Sequence, residues 1–425
     1  MSMNDLEFKV YENRFNTHHL ATDKFKTNLI QIYFMLPLVS EKEAAMNALI
    51  PYILERGSQK YKDNQIIKTE LENLYGSNMS SNILKRGENQ ILRFSLEIVN
   101  EKFLTHKSNL TENAFELLND VIFNPVVEAG KFKQNYFEQE KEILKQDILS
   151  LINDKYNFTV ENCLQKMCRN EKYRIYKMGS VSALAEITNQ ELYNHYQKII
   201  NEAKRSLFLI GDFKSAFVEQ TLTKTKLSAG TDIFDENTEV VYRDKEVDFY
   251  DQQMKVNQAR LSMGFRTGIT RKDQDYYSLL VFNSLIGGST HSKLFREIRE
   301  KRSLAYYVSS SIETTKGLLL INSGINAENQ AEVVELVKKE INSAAEGDFS
   351  QEDFIRSKKS IINHLKQDLD SNRALSAHYL LSLVNNKRES IKKTIAEVEK
   401  VKIDDIINAA EKLKLDTVYL LKSEG

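Results

Sequence analysis

At 425 residues the chain is too long for one ordinary core, and it reads as two or more domains. Apolar residues make up 41% and charged residues 28%, the balance of a soluble globular protein. The 59 basic and 60 acidic side chains leave a net charge of −1, so no bulk field draws the chain to nucleic acid or to an anionic membrane. Basic runs such as IREKR and NNKRESIKK interleave acids and read as solvated helix faces. No 18-residue apolar run offers a membrane span. The opening MSMNDLEFKVYENRF lacks the basic and apolar regions of a secretory signal. Cys163 and Cys168 lie five apart without a C-x-x-C set, so they read as reduced thiols and a cytoplasmic location is expected.

In chain order, NLIQIYFMLPL alternates like a half-buried strand. SEKEAAMNALIPYILERGSQKY follows, with Ser40 and Glu43 as a capping-box signature. Ala45, Leu49 and Tyr52 recur there at helical spacing, and Gly57 stands where a helix stop is expected. Pro51 sits inside this helix, where it removes a donor and crowds the preceding turn, at about 3 kcal/mol. Further on, EITNQELYNHYQKIINEAKRSLFLIGDF reads as a polar-capped helix, a turn and an apolar strand. The polar stretch KTKLSAGTDIFDENTEVVYRDKEVDF, with Gly230, reads as a linker.

Set against itself at a shift of 231 residues, the chain shows an ordered repeat. NLIQIYFMLPL falls on ARLSMGFRTGI, and Leu49, Leu54, Gly57 and Ser58 fall on Leu280, Leu285, Gly288 and Ser289. Ile67 falls on Ile298 and Tyr75 on Tyr306, without a gap. The end of the chain, VEKVKIDDIINAAEKLKLDTVYLLKSEG, repeats the helix–turn–strand of the first half. Mixed strands and helices in this order predict an α+β fold: two tandem homologous domains, each a largely antiparallel sheet covered by helices. Their expected extents are 1–215 and 251–425, with 216–250 as the linker region.

The second half contains SLIGGSTHSKLFREIREKRSLAYYVSSS. Gly287 and Gly288, Ser292, Leu294, Phe295, Ile298 to Arg302 and Leu304 to Tyr306 together resemble the C-terminal repeat of insulinase/pitrilysin-type zinc metallopeptidases. FNPVV followed by EKEILKQDI in the first half fits the same resemblance, which implies a half clamshell of that fold. The family's metal site is an inverted motif, His-x-x-Glu-His, with two imidazoles on one helix face and a glutamate that activates water. Registered on the glycine of ERGS, this chain has Ala48, Pro51 and Tyr52 in those three places. The downstream acidic ligand position falls on Asp147, with Glu140 one helical face earlier. No histidine occurs between His19 and His106 to supply a shifted motif, so this chain is expected to hold no metal cofactor of its own.

In active relatives an arginine and a tyrosine seven apart steady the bound peptide, and Arg299 and Tyr306 match that pair. Taken alone, Arg299 reads as a surface residue of a charged helix, and Tyr306, like Tyr75, as a buried strand tyrosine. SNMSSNIL, residues 77–84, stands where relatives bind peptide as an added edge strand, although its residues match theirs poorly. The adjacent His18 and His19, and His364 with Asp368, read as ordinary side chains and not as metal ligands.

The resemblance thus implies a subunit inert alone, which lends substrate-binding residues to a homologous zinc-bearing partner in peptide hydrolysis. An alternative is a catalytically inactive peptide-binding or scaffold protein that pairs with itself. Neither reading involves nucleic acid or membrane.

Overall fold

The computed structural model describes residues 6–11, 16–105, 109–224, 238–242 and 246–423. Gly230 and most of the linker stretch lie outside them. The chain divides into two compact units. Unit 1 takes in Met1–Ser150, Ile175–Asp235 and Ser371–Ala377, and unit 2 takes in Leu151–Arg174, Glu236–Asp370 and His378–Gly425. The short segments 151–174 and 371–377 therefore belong to the unit built mainly from the other repeat.

Unit 1 holds the strands β1 (Lys9–Tyr11), β2 (Thr17–Ala21), β3 (Thr27–Pro37), β4 (Asn78–Arg86) and β5 (Asn89–Val99). A two-strand hairpin, β6 (Val127–Glu128) with β7 (Lys131–Phe132), precedes β8 (Lys204–Gly211). The main sheet runs β1-β2-β8-β3-β5-β4. Every neighbouring pair in it is antiparallel except β2 with β8. Unit 2 holds β9 (Asp248–Gln253), β10 (Ala259–Arg266), β11 (Ala305–Glu313), β12 (Leu318–Ile325) and β13 (Lys414–Lys422), in the order β11-β12-β10-β13-β9. Here too the single parallel pairing is the corresponding one, β13 with β9.

Apart from β1, which has no counterpart in unit 2, the two sheets share one topology, and the shift of 231 found in the sequence places Thr17 on Asp248, the first residues of β2 and β9. The two predicted strands, β3 and β10, lie in the interior of their sheets, which buries them on both faces and not on one alone. The α+β arrangement follows from the two periodicities: alternating strands present one apolar face, and helices with apolar stripes cover it.

On β3, Ile30, Ile32 and Phe34 face a core completed by Ala45, Ala48 and Leu49 of the helix Glu41–Leu54 and by Leu117 and Val121 of the helix Leu110–Phe123. The alternate residues Gln31 and Tyr33 face the other way, and the Tyr33 hydroxyl lies 2.9 Å from Ser376 Oγ of the segment 371–377. Asn372 Nδ2 donates to Glu97 Oε1 at 3.1 Å and Arg373 Nε to Glu97 Oε2 at 2.9 Å, which ties that segment down within unit 1. In unit 2 the core gathers Leu261, Met263 and Phe265 of β10 with Leu279, Phe282 and Leu285 of the helix Tyr276–Ile286. That helix ends at Gly287. Among the described residues, no helix is long and apolar enough to cross a membrane.

Candidate functional site

The helix Glu41–Leu54 starts where the sequence placed it, with Ser40 Oγ accepting from the Glu43 backbone N–H at 3.1 Å. It runs through Pro51 without a break. Burial of Ala45, Ala48, Leu49, Ile53 and Leu54 in the core of unit 1 offsets the hydrogen bond that proline cannot make. The chain then turns at Gly57, whose φ of +155° favours glycine. A Cβ built there would stand 2.6 Å from the Lys62 carbonyl oxygen.

This helix packs against the helix Gln134–Ser150, and the contact brings two of the motif positions together. Tyr52 Oη donates to Asp147 Oδ2 at 2.6 Å. One turn on, Arg56 Nη1 lies 3.3 Å from Glu140 Oε1, and Arg56 Nη2 donates to Gln139 Oε1 at 2.8 Å. The same guanidinium sits 5.0 Å from the centre of the Tyr136 ring, within cation–π range. Asp147 and Glu140 of the second helix are thus both engaged by side chains from the end of the first helix and the turn after it. A cavity of about 440 Å³ opens beside them, lined by Tyr52, Glu55, Arg56, Tyr136, Glu140 and the start of the helix Asn64–Asn73 with its N-cap Asp63.

Zinc chemistry does not fit this arrangement. Ala48 is fully buried in the apolar core and carries no donor, and Pro51 carries neither acid nor base. Burial first, and then the bond to Asp147, push the Tyr52 phenol well above its ordinary pKa, so at neutral pH it keeps the proton it donates. A neutral phenol committed as a donor does not ligate a metal. Among the described residues, no group of three or more His, Cys, Asp or Glu could hold a metal ion. Burial also raises the carboxyls of Glu55 and Glu140, the latter despite the opposing charge of Arg56.

Sequence reasoning used ERGS only for registration and missed Glu55 and Arg56 as members of the site. Their spacing carried a signal: Arg56 follows Tyr52 by four residues, one helical turn, so both face the same neighbouring helix.

Arg299 and Tyr306 both belong to unit 2, and both sit on irregular backbone. Arg299 is exposed on a π-helical turn, Phe295–Lys301, with its guanidinium 4.8 Å from the Phe295 ring centre. Such turns recur at functional sites. On β11, pairing with β12 skips from Ala305 to Tyr307, so Tyr306 is the extra residue of a β-bulge. The bulge throws its side chain outward and leaves it 65% exposed. A buried role for this tyrosine is thereby set aside. Its repeat partner Tyr75 is exposed as well. The strands β4 and β11, which these tyrosines precede or begin, are the outermost strands at corresponding edges of the two sheets.

The family model described as the peptidase M16 inactive domain matches residues 186–361. A protein of Bacillus subtilis named "Probable inactive metalloprotease YmfF" is 35% identical over 421 residues, covering 99% of this chain and 98% of that one. The same organism's "Uncharacterized zinc protease YmxG" is 23% identical over 310 residues, covering 71% of this chain and 72% of its own. Among solved structures, a conserved protein from Enterococcus faecalis superposes with a TM-score of 0.88 at 28% identity, covering 98% of this chain and 99% of that one. A peptidase M16 inactive domain from Pseudomonas fluorescens superposes with a TM-score of 0.80, covering 99% of each chain; at 15% identity it speaks for the fold alone. This chain therefore belongs to the M16, or insulinase/pitrilysin-type, peptidase family, as a member in which the His-x-x-Glu-His zinc motif is lost.

Proposed function

We propose that this protein is the non-metal subunit of an M16-type peptidase, presenting Arg299 and Tyr306 to a peptide held by a homologous zinc-bearing chain. The observation that carries this reading is an asymmetry of repair. Of the metal positions, Tyr52 and Asp147 now satisfy one another, Ala48 and Pro51 carry no ligand group, and the neighbouring Arg56 satisfies Glu140. Arg299 and Tyr306, in contrast, remain exposed on a π turn and a bulge. A guanidinium and a phenol aimed at developing negative charge stabilise a tetrahedral transition state. Similarity to both an inactive metalloprotease and a zinc protease of one organism supports pairing between the two kinds of chain. Zinc belongs to the partner, and the substrate is an extended peptide. The two cysteines, both buried thiols, fit a cytoplasmic setting.

The test is reconstitution with a zinc-bearing homologue from the source organism, following cleavage of an unstructured peptide. Zinc-dependent hydrolysis should require both chains and should fall by about a hundredfold with Arg299→Ala. Full activity of the mixed Arg299→Ala complex would sink this reading. A second reading is favoured by the open edges of β4 and β11: a self-paired protein that captures peptides as added strands and cleaves nothing. Peptide binding by the isolated chain, with no cleavage in any mixture, would select it.

A further inference from the structure

In unit 2, Leu261, Met263 and Phe265 of β10 and Leu319, Ile321 and Ile325 of β12 face the main core. Alternation turns Arg260 and Gly324 to the opposite face of the sheet. There Gly324 pairs with Tyr307 of β11 on one side and with Arg260 on the other. A Cβ built on Gly324 would stand 2.6 Å from Tyr307 Cε1, 2.7 Å from Arg260 Nη1 and 2.9 Å from Gln258 Nε2. Three side chains thus converge over a glycine whose missing methyl leaves them room. The Arg260 guanidinium lies 5.2 Å from the Tyr307 ring centre, within cation–π range. Gln258, Arg260 and Tyr307 are half-buried, and Tyr156, whose ring centre lies 6.0 Å from that of Tyr307, is exposed beside them.

The cluster is rich in donors and short of acceptors. Arg260 Nη1 donates to Gln258 Oε1 at 2.8 Å. A guanidinium only donates, so this bond holds the Gln258 amide with its oxygen toward Arg260 and its nitrogen turned away. Among the described residues, Gln258 Nε2 and Arg260 Nε are shielded from solvent without an acceptor. Arg266, at the other end of β10, is held by Glu171 and Asp416, whereas among the described residues no carboxylate pairs with Arg260. Burial lifts the Tyr307 phenol above its ordinary range despite the Arg260 charge, so it keeps its proton and stays a donor. On the same face Asn322 donates through Nδ2 to the Tyr156 hydroxyl at 3.4 Å, and its Oδ1 has no donor. Shielded polar atoms left unmet are costly, and a ligand that meets them recovers that cost.

We propose that Gln258, Arg260 and Tyr307 form a carboxylate subsite, which takes the free C-terminus or an acidic side chain of a bound peptide. This rests on the reading of Tyr306 as a peptide-binding residue. Tyr307 follows it directly, and Arg260 lies two strand spacings from β11, about 10 Å, or roughly three residues of an extended peptide. A planar carboxylate matches the guanidinium fork. A peptide also brings amide N–H groups for an acceptor such as Asn322 Oδ1, which an inorganic anion does not.

The experiment is fluorescence anisotropy of a labelled, unstructured peptide of about ten residues, titrated with the isolated full chain. Four forms are compared: free or amidated C-terminus, each with an internal Glu or Gln. At least one of the two carboxylates should tighten binding about tenfold over the form with neither, and the form that does so identifies the source. Arg260→Gln should erase that preference and Arg260→Lys restore part of it, while Gly324→Ala, which fills the space over β12, should also reduce it. Equal affinity of all four forms for wild type, or a preference that survives Arg260→Gln, would overturn the subsite. No binding of any form would overturn it as well, while zinc-dependent cleavage by the mixed complex would still uphold the reading it rests on. Should Arg260→Gln fail to fold, competition by acetate on wild type decides. Acetate should weaken the preferred form and spare the amidated Gln form, and an equal effect on both would overturn the proposal.

Discussion

Tyr52 donates its hydroxyl proton to Asp147 at 2.6 Å across 95 residues of sequence. In the resemblance these are the places of a zinc-binding imidazole and the downstream acidic ligand. The contact between the two helices has survived the loss of the metal, because a phenol and a guanidinium now satisfy the carboxylates that a cation would otherwise neutralise. That relationship makes the first helix a structural element, and several measurable consequences follow from it and from its surroundings.

Zinc should not bind tightly. After dialysis against zinc and then buffer, metal analysis should find well under one equivalent per chain, and a chelator should leave the melting temperature unchanged. Structural zinc sites contribute folding energy outright, so a melting temperature that falls on chelation would contradict the geometry around Tyr52.

Glu55 should make stability fall with rising pH. Burial raises its carboxyl above the ordinary value of 4.5, even though Ser81 bonds to it. As pH rises past that value, the unfolded chain releases a proton that the folded chain still holds, so folding loses ground through that window. Glu55→Gln should be more stable than wild type in urea at about pH 7 and indistinguishable near pH 4. An equal stability difference at both pH values would rule out the carboxyl as the cause.

Gly57→Ala should be costly for so small a substitution, at a buried turn. Its φ of +155° disfavours any side chain, and the Lys62 carbonyl would meet the new methyl at 2.6 Å. Backbone is the obstacle, so no rotamer change relieves it. The expected loss is about 2–3 kcal/mol in chemical denaturation.

Arg299→Ala and Tyr306→Phe should leave folding within about 0.5 kcal/mol of wild type, since both side chains are exposed. In the mixed complex with a zinc-bearing chain, the same variants should lower kcat more than they raise KM, because their bonds strengthen as negative charge develops. Loss of stability with unchanged turnover would make them structural residues.

Much of the fold was legible because it depends on local chemistry. Alternation marked β3 and β10, and Ser40 marked the start of the first helix with Gly57 just beyond its end. The repeat was legible because corresponding strands keep nearly the same spacing from β2 and β9 as far as β5 and β12. The pairing of Arg56 with Glu140 was not, since charged residues at helical spacing are common and only packing selects a partner. Nor was the exposure of Tyr306: a bulge is created by a register mismatch between two strands, and no single strand's sequence states it.

By itself, the sequence determined the α+β class, the duplication and the loss of every imidazole from the zinc motif, because periodicity and residue identity are local properties of the chain. Only the tertiary structure decided what replaced the metal and which repeat receives the segment 151–174. Those outcomes depend on which side chains meet in space. Glu171 lies 95 residues from Arg266 in the chain and 2.7 Å from it in the fold, a distance that no spacing rule contains.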